Sequence, residues 1–127
     1  MKPRFGAGRN IALKIPSHQF AATLAFYRDI LGLVQIEQEQ PLVVFDYAGM
    51  RLWLDEVPQL SQAELWLEVT TDDTAAAAKY LEEQGVARCD GVEALPKGFD
   101  GFWICSPAGI VHLVCRDQAP GQDPAGG

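Results

Sequence analysis

Basic residues are scarce in this chain of 127: lysine and arginine number 10 against 17 aspartates and glutamates, for a formal charge of −7. Binding to nucleic-acid phosphates requires a basic face, so this balance argues against a nucleic-acid partner, and none is expected. Small molecules, cationic ones among them, are the better expectation. Long apolar runs are also absent. Nothing approaches the roughly 20 residues of a membrane span, and the opening MKPRFGAGR has no apolar segment behind its basic residues to act as a signal peptide. A cytoplasmic protein with no membrane partner is expected. Cysteine is limited to Cys89, Cys105 and Cys115, an odd number with no CxxC pair, which points to ordinary buried thiols rather than redox or metal work. Histidine is limited to His18, placed at a helix start on the surface, and His112.

What the chain does have is a core: 48% of its residues are hydrophobic, enough for one domain or two small fused units. NIALKI (Asn10 to Ile15) alternates Ile11, Leu13 and Ile15 against Asn10, Ala12 and Lys14, the pattern of a half-buried strand. Pro16 ends it. Ser17 is placed to cap a helix over residues 17–31, whose apolar positions Phe20, Leu24, Tyr27 and Leu31 recur at spacings of three or four before Gly32 stops it. VQIEQ, LVVFDY and RLWLDE follow as a three-stranded antiparallel meander broken at Gln40-Pro41 and Ala48-Gly49.

The order then begins again, about 54 residues on. ELWLEV alternates Leu65, Leu67 and Val69 against Glu64, Trp66 and Glu68, and TTDD, with Asp72 and Asp73, caps an alanine-rich helix over residues 72–84 that ends at Gly85. VARCDGVEAL, GFWICSP and IVHLVCR supply three more strands. The reading is therefore an α+β fold of two βαβββ modules, residues 9–57 and 64–116, joined by a linker at 58–63 and followed by a disordered tail at 117–127. Leu13, Leu24, Tyr27, Leu67 and Leu81 are expected in the core.

The segments NIALKI…ATLAFYRDILGL, LWLEVTTDDTAAAAKYLEEQGV and FWICSPAGIVHLV resemble the vicinal oxygen chelate superfamily of glyoxalases, bleomycin-resistance proteins and extradiol dioxygenases, over roughly residues 9 to 116. The resemblance implies curled mixed sheets around an open cleft, helices outside, and metal ligands on the cleft faces of the strands. Its four metal positions fall on Asn10, Trp53, Glu64 and His112, the last with a turn one residue shorter than usual. Only Glu64 and His112 are good ligands, and an indole cannot ligate at all. A divalent metal needs at least three strong donors, so the set is incomplete and no cofactor is expected, with a divalent metal held open at Glu64 and His112.

By alternation the cleft faces carry Asn10, Ala12, Lys14, Arg51, Trp53, Asp55, Glu64, Trp66, Glu68 and His112, with Trp103 and Phe45 able to join the same wall. An aromatic, acidic lining favours a planar or cationic ligand through stacking, cation–π contact and charge. The expected ligand-binding residues are Trp53, Trp66, Glu64, His112, Asn10, Arg51 and Trp103. The function expected is binding of a small aromatic or cationic molecule, as bleomycin-resistance proteins do. The alternatives are a metal-dependent lyase, isomerase or extradiol dioxygenase acting on vicinal oxygens, or a relic whose cleft is filled by its own aromatics. Open sheet edges and an apolar rim around the cleft point to a homodimer.

Overall fold

The computed structural model describes residues 2–117. They fall into two units, one of Arg9–Trp66 and one of the chain up to Gly8 together with the chain from Leu67 onward. In chain order the elements are β1 (Phe5–Ala7), β2 (Asn10–Ile15), α1 (Ser17–Ala25), β3 (Val43–Tyr47), β4 (Met50–Glu56), β5 (Glu64–Thr71), α2 (Thr74–Glu83), β6 (Ala87–Arg88), β7 (Gly101–Cys105) and β8 (Val111–Arg116). The fold is α+β, with strands paired in both senses and ends that do not close into a barrel. Residues 118–127, all but the first of the expected disordered tail, lie outside the described residues. Asp117, its first member, donates its backbone N–H to Thr71 O at 2.7 Å.

In the Arg9 unit, β4 lies between β2, with which it is parallel, and β3, with which it is antiparallel, while the first residues of β5 pair antiparallel with the other edge of β2. The hairpin between β3 and β4 turns through Ala48 and Gly49, both at positive φ, the geometry a tight two-residue turn requires. Of the expected strand VQIEQ only one bridge survives, Gln35 to Phe45. The chain then winds into a 3₁₀ turn at Glu37–Glu39, three polar residues with no apolar alternation to hold them on a sheet.

Helix α1 begins one residue differently from the expectation. Pro16 is its N-cap and no side chain caps it, so Ser17 is the first helical residue rather than the cap. After Ala25 the helix widens into a π turn, Phe26–Ile30, closed by Leu31 N–H on Phe26 O at 2.9 Å, and Gly32 at φ 68° ends it. One face, with Phe20, Leu24 and Tyr27, packs on Ile15, Phe45, Leu52 and Leu54, and Leu13 joins from the sheet. Phe45 thus lies on the α1 side, 6.0 Å from the Tyr27 ring, and not on the Trp53 wall; its neighbour Val44 is the residue paired with Trp53.

In the other unit the second half of β5 lies between β1 and β8, antiparallel to the first and parallel to the second, and β7 and β6 continue antiparallel from β8. Strand β1 lies in a segment to which the sequence reading assigns no element; its three exposed residues give no alternation to read. Asp73 caps α2 through its side chain on Ala76 N–H at 3.0 Å, as expected, whereas Asp72 instead accepts from the N–H and Nε of Arg4. Ala77 is fully buried against Phe102 and Val114, with Leu81 beside them. VARCDGVEAL shrinks to the two residues of β6, because the Asp90 carboxylate takes the N–H of Trp103 that a continuing ladder would have used.

Candidate functional site

In the Arg9 unit the register sets one row of side chains on the face opposite α1. Asn10 stands beside Arg51, Ala12 between Trp53 and Trp66, and Lys14 between Asp55 and Glu64. Alternation along NIALKI, RLWLDE and ELW assigns these residues to one face, as expected. Their exposure differs from an open lining: Asn10, Lys14, Trp53 and Trp66 are buried, at 3%, 1%, 4% and 7%. Each indole N–H is already used. Trp53 Nε1 donates to Asn10 Oδ1 at 2.7 Å, and Trp66 Nε1 donates to Glu64 Oε1 at 2.9 Å. Arg51 pairs with Glu39, and Lys14 Nζ lies 2.7 Å from Asp55 Oδ2 and 4.5 Å from the centre of the Trp66 ring. Lys14, expected on this face but assigned no role, is its best-buried charge.

In the other unit His112 does not share the face of Glu68. Leu67 is its partner across the parallel ladder and Leu113 is the partner of Glu68, so His112 lies with Val69, Val114, Phe102 and Ile104 on the side where α2 packs. The turn before β8 is not shortened in the way the His112 match required, and the cleft-facing position belongs to Leu113. His112 Nδ1 is 2.9 Å from Ile110 O; a carbonyl only accepts, so Nδ1 carries the proton and Nε2 is left as an acceptor. Leu67, expected in the core, instead lines an open groove of about 470 Å³ with Phe5, Gly6, Ala7, Glu68, Val69 and His112. Trp103 is buried on the opposite face at 2%, its Nε1 donating to Glu93 O at 2.9 Å.

Glu68 is held closely from behind. A side chain on Gly8 would come within 2.2 Å of its Oε1, so only glycine lets the backbone pass, and Gly8 N–H bonds to Glu68 O at 2.9 Å. Cys115 lies beside it. Burial, and then the Glu68 carboxylate, push the Cys115 thiol from 9.0 up to about 12. Cys89 is pushed up as well, by burial first and then by Cys105. These thiols are protonated near neutral pH and inert, in keeping with their reading as packing residues.

The residues at the expected metal positions do not fit a divalent ion as they stand. Asn10 and Glu64 accept from tryptophan N–H groups, Trp53 has no lone pair to give, and β8 offers Leu113 on the cleft-side face. Among the described residues no group of three or more His, Cys, Asp or Glu is placed to hold a metal.

No protein-family model matches the sequence, and no curated protein is significantly similar to it. Solved structures do match. The Mn(II)-bound glyoxalase of Novosphingobium aromaticivorans is 22% identical with a TM-score of 0.58, over 93% of this chain and 44% of that one. A homoprotocatechuate 2,3-dioxygenase variant from Brevibacterium fuscum is 19% identical at 0.61, over 93% of this chain and 34% of its own. A glyoxalase/bleomycin resistance protein/dioxygenase superfamily member from Vibrio splendidus is 15% identical at 0.56, over 91% and 99%. This chain spans less than half the length of the first two. The repeated strand–helix–strand elements together with these likenesses define the class: the chain has the vicinal oxygen chelate fold.

Proposed function

We propose that the chain binds a small organic molecule with an apolar or aromatic body and an O–H or cationic N–H group, and that it does so without the full metal set of the superfamily its fold matches. The groove beside His112 carries the reading. Its volume, about 470 Å³, is of the size that small-molecule sites take, and Phe5, Ala7, Leu67 and Val69 provide an apolar lining around one side-chain acceptor, His112 Nε2. A net charge of −7 favours approach of a cation. Trp53 and Trp66 then serve as packed interior rather than as stacking platforms, since both rings are buried with their N–H groups bonded. A lyase, isomerase or dioxygenase dependent on a metal would require three strong donors, and Asn10, Trp53, Glu64 and Leu113 include one carboxylate.

Titration of the labelled chain with phenol, catechol and benzylamine, followed by amide NMR, tests this. Shifts are expected at Ala7, Leu67, Val69 and His112. His112→Ala should weaken binding about tenfold, the loss of one hydrogen bond, and Leu67→Trp should fill the groove and abolish it. Shifts confined to Trp53 and Trp66, or none with any probe, would overturn the groove assignment. The proposal includes a second copy of the chain, because Phe26, Ile30, Leu31, Val34, Leu42 and Tyr47 of the Arg9 unit are exposed at 43–74%.

A further inference from the structure

The Asn10 face of the Arg9 unit carries oxygen acceptors of the kind a cation attracts, and each has an internal partner. Trp53 N–H occupies Asn10 Oδ1, Trp66 N–H occupies Glu64 Oε1, and Lys14 pairs with Asp55. The ladder fixes where the positive charge stands: Lys14 is the register neighbour of Asp55 on one side and of Glu64 on the other. Its side chain is 2% exposed, and the ammonium lies 4.5 Å from the centre of the Trp66 ring, whose negative face attracts it. A buried ammonium is costly to desolvate and persists only where several groups oppose its charge. Here an ion pair, a flanking carboxylate and an aromatic face do so.

We propose that Lys14 supplies from within the chain the positive charge that a divalent ion supplies in a metal-bound protein of this fold, so that this face is complete without metal. The inference rests on the misfit of the metal donor set. It is independent of the groove, because Lys14 and the groove lie in different units and Lys14 lines no part of it. One consequence is specific. Removing the ammonium leaves Asp55 and Glu64 flanking β2 with no cation between them, an anionic pair that an added divalent ion can neutralise.

The experiment combines thermal unfolding with electron paramagnetic resonance of Mn(II), using the purified full chain and Lys14→Met. The unsubstituted chain is expected to leave Mn(II) free in solution and to unfold at the same temperature in EDTA and in about 1 mM MnCl₂. Lys14→Met is expected to unfold about 10 °C or more lower, the size of effect that breaking a buried pair has in a domain of this length, and to recover several degrees with Mn(II). Stoichiometric uptake of Mn(II) by the unsubstituted chain would overturn the proposal, as would a Lys14→Met protein of unchanged melting temperature or one indifferent to the metal. If Lys14→Met folds under neither condition, Asp55→Asn decides. It keeps the ammonium, so it should melt lower yet show no response to Mn(II), and a response would count against Lys14 as the internal cation.

Discussion

At the scale of single residues the two buried tryptophans make a controlled comparison. Both donate an indole N–H to an acceptor on a neighbouring position, but Asn10 is buried at 3% while Glu64 is exposed. Replacing the donor with a ring that lacks it strips a buried acceptor in one case and a solvated one in the other. Trp53→Phe should therefore cost about 1–3 kcal/mol and Trp66→Phe under about 1 kcal/mol, measured by urea unfolding. Trp66→Ala, which removes the ring itself, should cost about 3–5 kcal/mol and leave probe binding in the groove unchanged. Cys115 makes a prediction in pH. Its thiol is raised from 9.0 to about 12 in the folded chain, so its contribution to stability is whole below pH 9 and is lost as pH rises towards 12. Unfolding monitored across that window should show stability falling, and Glu68→Gln, by removing the second cause of the shift, should make the fall smaller and end it at lower pH, with its onset still near pH 9. Iodoacetamide at pH 8 should leave Cys115 unmodified until the chain unfolds.

At the scale of elements, β1 is three residues long and held at one end by polar contacts. Arg4 gives its backbone N–H and its Nε to the two oxygens of Asp72, at 3.0 and 3.2 Å. Asp72→Asn should speed amide exchange through Phe5–Ala7 while leaving global stability nearly unchanged, because the pair is exposed. The carboxyl of Asp72 is held below its ordinary 3.8, first by the Arg4 backbone N–H, and that of Asp100 likewise, first by Thr74 and then by Arg116. Both contributions are present above pH 3.8 and disappear as pH falls below it, so β1 and the start of α2 should loosen first on acidification. The helices were legible in the sequence from their spacing and their glycine stops, Gly32 and Gly85, each at positive φ. Their starts were less so: proline set the entry to α1 with no side-chain cap, and only one of two adjacent aspartates capped α2. Of the short strands, β1 was not legible, since three exposed residues carry no period, and β6 was legible only as part of the longer run VARCDGVEAL.

At the scale of the whole molecule, the exposed apolar residues of the Arg9 unit cluster at the π turn and the chain that follows it, Phe26 to Val34, and at Leu42 and Tyr47 near β3. A dimer that covers them should sediment as a single species of twice the chain mass at micromolar concentration, and Ile30→Glu should shift it to monomer without unfolding it. Persistence of monomer in the unsubstituted chain at those concentrations would remove the second copy from the proposal.

Alternation and spacing within the sequence determined the α+β repeat, the faces of β2, β4 and β5, and the shortage of metal donors, because these depend on residues near one another in the chain. Which side His112 faces depended on the register of β8 against β5, and that is set by a turn whose length the residues do not announce: one step moved histidine to the α2 side and brought Leu113 to the side of Glu68. Burial was likewise a tertiary decision. Trp53, Trp66 and Lys14 stand on the face that alternation assigns them, yet whether a ring lines a cleft or fills it depends on what packs over it, and here the pairing of β2 with β4 brought Asn10 to Trp53 and Asp55 to Lys14, while Glu64 meets Trp66 from two residues away on β5 itself.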